Sequence, residues 1–95
     1  MGRDERKAIM DKIDPRRFGF SPRTRLYKKN RDTYVIQILR KSRVVMKDAK
    51  ALVDKQIVIV RQQPEAVLML ETSAPVCSKS TAYLKGHGID VVKVD

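Results

Sequence analysis

The sequence predicts a small single α/β domain: a mixed sheet with an N-terminal hairpin, a C-terminal parallel β-α-β part, and helices on the sheet faces. Three observations predict it. The chain has 95 residues, enough for one core and too few for two. Its apolar fraction of 42% is that of a folded domain, not of a disordered segment. In the C-terminal half, short apolar runs alternate with helical periodicity, the pattern of strands joined by crossover helices. The predicted order over residues 1–95 is α-β-β-β-α-β-α-β.

Residues 3–13 place Ala8, Ile9 and Ile13 at near-helical spacing, with Asp4 and Glu5 at the start, where the helix dipole favours acidic groups. A short helix is expected there. It stops at Asp14, because Pro15 disfavours the helical region for the residue before it. Residues 15–25 form a loop, since Pro15, Gly19 and Pro22 break any period. Residues 1–32 are therefore read as a basic, partly flexible helix and loop.

Thr24–Lys28 and Thr33–Leu39 read as strands, the second rich in β-branched and aromatic residues; Lys29-Asn30-Arg31-Asp32 supplies the turn of a hairpin. Arg43–Met46 reads as a short third strand. In 48–63, Ala49, Leu52, Val53, Gln56, Ile57 and Val60 share a helical face, although Gln56–Val60 alone looks like a strand. One helix is expected, because Pro64 provides a stop and a β-α-β crossover results. Ala66–Glu71 is a buried strand. A helix is expected from Ser73, a natural N-cap, to about Lys85, closed by a glycine cap in Gly86-His87-Gly88. Ile89–Val94 is the last strand. The fold expected is two-layered or three-layered.

The charge is unevenly placed. Residues 1–50 hold 16 Lys and Arg against 6 Asp and Glu, and residues 51–95 hold 5 against 5, so the first half carries the whole net +10. Charge confined to one half creates a directional field that steers a polyanion. Nucleic acid, RNA or DNA, is the expected partner. No apolar run approaches the roughly 20 residues of a membrane span. The N-terminus shows no apolar signal-peptide region, and one cysteine forms no internal disulfide. A cytoplasmic protein is expected.

The loop and hairpin carry the strongest candidate site. Arg16, Arg17, Arg23, Arg25, Lys28 and Lys29 would contact phosphates, while Phe18, Phe20 and Tyr27 offer faces on which bases stack. The two phenylalanines serve equally well to pin the loop to the core. Arg40, Lys41 and Arg43 sit at a strand connection and could extend the same surface. Thr72, Ser73, Ser78 and Lys79 surround an expected helix start that could hold a phosphate, but the glycines of a phosphate loop are absent; ordinary capping explains them as well. His87 is the only histidine, so no histidine cluster for a metal and no Ser-His-Asp set is available. No cofactor is called for.

Two local likenesses bear on chemistry. Cys77-Ser78-Lys79-Ser80 resembles the Cys-x-x-Ser of single-cysteine glutaredoxins, and Gly88-Ile89-Asp90-Val91 resembles the stretch after their helix. That fold also needs a cis-proline strand and a further hairpin, and no proline comes after Cys77. A structural cysteine is the expected role. The element order is similar to the core of the restriction-endonuclease-like superfamily, which implies an Asp followed by Asp/Glu-x-Lys on strands, binding a divalent metal. Here Asp32 and Asp48-Ala49-Lys50 are the available residues, and Gln37 and Leu39 stand where Glu-x-Lys would be expected. The reading is thus a nucleic-acid-binding protein without catalysis. The alternatives are a compact metal-dependent nuclease, or a subunit of a larger ribonucleoprotein or protein complex.

Overall fold

In the computed structural model, which describes residues 11–94, the apolar runs pair into one five-stranded sheet in the order β1-β2-β3-β4-β5. The strands are β1 (Asp11–Ile13), β2 (Arg25–Lys28), β3 (Thr33–Ile38), β4 (Val67–Thr72) and β5 (Asp90–Lys93). The first three are antiparallel neighbours; β3, β4 and β5 run parallel. Helix α1 (Met46–Gln62) links β3 to β4, and helix α2 (Ser78–Gly86) links β4 to β5. Each crossover moves one strand further in the same direction. Right-handed connections therefore leave both helices on one face.

That face holds the core. Leu26, Tyr34, Ile36, Leu68 and Leu70 alternate along their strands and meet Ala49, Leu52, Val53 and Ile59 of α1 and Leu84 of α2. The domain has two layers. The intervening strand positions face the other way: Lys12, Tyr27, Val35, Met69 and Asp90 form one cross-strand row, and Arg25, Gln37, Glu71 and Val92 the next. Among the described residues no helix covers that face.

The strands and helices of 24–39, 48–63, 66–71 and 89–94 stand within a residue or two of their expected bounds. Residues 48–62 lie within one helix, without a strand, and Gln63 caps its end. Its buried face includes Ile59, while Ile57 lies at the edge of the stripe and is 46% exposed.

Three expectations are corrected. Of the helix expected over 3–13, residues 3–10 lie outside the described residues, and Asp11–Ile13 form β1. Pairing with β2 brings Ile13 against the core, which outweighs the marginal helix propensity of so short a segment. The strand expected at Arg43–Met46 is reduced to a single parallel bridge, Val44 with Val76. Asp48 takes the Val45 N–H at 3.0 Å and starts α1 at Met46. Helix α2 starts at Ser78, not Ser73. Ala74 precedes Pro75, which disfavours helix, and is fully buried; the Pro75 carbonyl accepts the Val44 N–H at 2.8 Å. Cys77 is the N-cap instead.

The expected glycine cap of α2 forms at Gly88, with φ of 77°. The Gly88 N–H reaches the Lys85 carbonyl at 3.0 Å and the Ile89 N–H reaches that of Leu84 at 2.9 Å, closing the helix end over the buried pair Leu84 and Ile89.

Candidate nucleic-acid interface

The loop before β2 is folded by its own side chains. Asp14 accepts the Arg16 N–H at 3.0 Å, which starts a 3-10 turn over Pro15–Phe18. The Arg16 guanidinium returns to both Asp14 oxygens at 3.1 Å. These hydrogen bonds hold the Asp14 carboxyl below its ordinary pKa and raise that of Arg16. Gly19, with φ of 80°, ends the turn where a side chain would be strained. Phe18 stacks on Phe20 with centroids 5.6 Å apart and meets the Tyr34 ring edge-on at 5.8 Å. Both phenylalanines are half-buried and pack against the core. They pin the loop to the scaffold.

Pinning the loop puts its cations beside the sheet. Arg23, Thr24 and Arg25 line a groove of about 280 Å³ with Lys55, Asp48, Ala51 and Leu52 of α1 and Ile36, Gln37 and Ile38 of β3. A second hollow, about 380 Å³, shares Arg23, Thr24 and Arg25 and adds Lys12 and Tyr27. A third, about 360 Å³, continues past Lys12 to Asp14 and Arg16. The three make one track around the end of the β1-β2 edge, walled by Lys12, Arg16, Arg23, Arg25 and Lys55. Its two acids are each held by an arginine: Asp14 by Arg16, and Asp48 by Arg40 at 2.6 Å. Lys55 was absent from the set predicted by the sequence. It lies on α1, in the near-neutral half, and its ammonium stands 5.7 Å from the Phe20 ring centroid, a cation–π contact that fixes it in the groove wall.

The other predicted residues are distributed more widely. Arg17 is exposed on the 3-10 turn. Lys28 places its ammonium 5.5 Å from the Tyr34 ring centroid, and Lys28 and Lys29 stand at the opposite end of the hairpin from Arg25. Arg40 is folded onto its own connection, donating to the carbonyls of Ser42 and Arg43 as well as to Asp48. Lys41 and Arg43 are exposed on that connection.

Partial burial acts to raise the pKa of Asp48, but the Val45 N–H and the Arg40 guanidinium outweigh it and hold the carboxyl below its ordinary value. A depressed folded-state pKa contributes stability that is present above the unfolded value and lost as pH falls through the folded one. Asp48→Asn should therefore cost about 1 kcal/mol at neutral pH. The gap between wild type and variant should close below about pH 4. Denaturant midpoints across pH test this; a gap that does not narrow between pH 7 and about pH 2.5 would sink it.

The residues considered for a metal site are not brought together. Asp32 accepts from Gln63 at the amino end of β3, whereas Asp48 caps α1 beyond its carboxyl end. Lys50 is exposed on α1. Gln37 donates to Glu71 at 2.9 Å, and Leu39 is 47% exposed just past β3. Among the described residues no three His, Cys, Asp or Glu side chains converge.

In the segment 72–79, Thr72 and Cys77 are engaged in structural bonds, while Ser78 and Lys79 are exposed in the first turn of α2. Thr72 donates to the Ile38 carbonyl at 2.7 Å and accepts the Ala74 N–H at 3.0 Å. Cys77 accepts the Ser80 N–H at 3.4 Å and lies 2.9 Å from its hydroxyl. The Ser80 hydroxyl and N–H lower the thiol pKa, as caps do for a thiolate. His87 is exposed beside the Tyr83 ring. Among the described residues no helix is long and apolar enough to cross a membrane.

Neither protein-family models nor curated proteins match the chain. Among solved structures it is similar to EndoMS in apo form, with a TM-score of 0.60 and 13% identity over 92% of this chain. The matched part is 37% of the EndoMS chain, so this protein spans little more than a third of that length. At that identity the likeness shows the shared α/β fold.

Proposed function

We propose that the protein binds nucleic acid, RNA or DNA, through the cationic track around Arg23 and Arg25, and performs no bond-breaking chemistry on it. One observation carries this reading: the track gathers cations from β1, the loop, β2 and α1, while its two carboxylates are already neutralised by arginines. A phosphate chain laid there meets attraction along its length and little repulsion. Tyr27, partly exposed in the track, gives a base a stacking face. The fold shared with EndoMS, a nuclease, agrees with a nucleic-acid partner. The single cysteine fits a reducing compartment, and we assign the protein to the cytoplasm.

Titrating single-stranded and duplex oligonucleotides against salt tests the reading. With three to five phosphates engaged, log affinity should fall against log salt with a slope of roughly −2 to −4. No binding at low ionic strength, or binding indifferent to salt, would rule it out.

The fold likeness also favours a second reading, a compact metal-dependent nuclease. Metal-assisted hydrolysis needs at least two convergent carboxylates. The row where they would lie holds Arg25, Gln37 and Glu71. Cleavage of labelled strands with Mg²⁺ or Mn²⁺ that is lost in Glu71→Ala would establish this reading over simple binding.

A further inference from the structure

We infer that the groove between α1 and the carboxyl end of β3 takes one unstacked base of a single strand, with the flanking phosphates held by Arg23 and Lys55. This rests on the nucleic-acid reading and adds the class of ligand.

The groove has two kinds of surface. Its floor is aliphatic, made by Ile36, Ile38, Leu52 and the exposed Ala51. Its wall carries Arg23 and Lys55, while Arg25 borders it from β2 with its side chain on the opposite sheet face. A bare phosphate would use the wall and leave the aliphatic floor wetted. A nucleotide uses both, because a base presents a flat, poorly hydrated face and its backbone presents the charge. At about 280 Å³ the groove falls at the low end of small-molecule clefts, room for a base and part of its sugar. Its one acid, Asp48, is turned into Arg40 and the Val45 N–H, so it does not repel the strand. Thr24 adds a hydrogen-bonding group at the rim. A base paired in a duplex cannot enter, since its faces are covered by its stacked neighbours.

Ala51→Phe fills the groove and leaves Arg23 and Lys55 in place; Ala51→Leu is a milder filler that keeps helix propensity. Affinity for a single-stranded oligonucleotide should fall about tenfold in Ala51→Phe, and less in Ala51→Leu. Duplex affinity should not change. Emission from one 2-aminopurine in the single strand should rise on binding the wild type and stay flat with Ala51→Phe. Wild-type affinity and emission in both variants would overturn the groove assignment and leave the nucleic-acid reading standing. Absence of any oligonucleotide binding by the wild type at low salt would overturn both.

Discussion

The triple variant Arg23→Gln, Arg25→Gln, Lys55→Gln should bind single-stranded RNA or DNA about a hundredfold more weakly than the wild type at moderate salt. It should do so without unfolding. Arg23 and Arg25 are exposed, and Lys55 gives up only its contact with the Phe20 ring. Three lost phosphate contacts should also flatten the log–log salt dependence by roughly 2. The slope is the sharper readout, because a general loss of folded protein would lower apparent affinity without changing it. A variant that binds like the wild type with the same slope would exclude the track and move the interface to the far end of the hairpin, around Lys28, Lys29 and Arg31.

Leu70→Ala should be the most damaging single truncation for the fold. Leu70 is completely buried at the centre of β4, in register with Ile36 on β3 and Val91 on β5, and its side chain belongs to the cluster that receives both helices. Truncating a leucine in such a site costs about 3 kcal/mol, combining lost transfer energy and the cavity left behind. In a domain of this size that lowers the melting temperature by roughly 12–24 °C. A calorimetric shift under 5 °C would mean that the site collapses around the smaller side chain.

Much of the fold was legible because the apolar periods are strong. Tyr34, Ile36, Leu68 and Leu70 mark one face of two parallel strands, and Ala49, Leu52 and Val53 mark the helix that covers them. What misled was short segments whose state is set by contacts from elsewhere. Nothing in Asp11-Lys12-Ile13 signals a strand; the partner β2 makes it one. Val44 and Val45 are extended, but Asp48, three residues on, accepts the Val45 N–H and starts the helix at Met46, so no strand continues. Ser73 looks like a cap, but burial of Ala74 and the bridge to Val44 delay the helix to Ser78.

The site was legible in part for a related reason. Arg23 and Arg25 stand out as charges at the end of an irregular loop; the structure places Arg23 at the groove and Arg25 on the opposite sheet face beside Lys12 and Tyr27. Lys28 and Lys29 are near them in sequence but at the other end of a strand. Lys55 has an unremarkable helical context, and only the packing of Phe20 shows where its ammonium lies. An alternation of Lys55 with Leu52 and Ile59 along α1 was the one available sign that it borders the core.

The stacking of Phe18 on Phe20, and of Phe20 beneath Lys55, bears on how a ligand is met. A basic loop that orders only on contact with its ligand spends interaction energy on that ordering and shows the heat-capacity signature of coupled folding. Here the aromatic pair packs the loop onto the core, so its backbone has a fixed seat. On the proposed reading, association would resemble docking onto a fixed electrostatic template, with little conformational entropy left to lose. On that reading, the two phenylalanines would tighten binding through rigidity, without touching the strand.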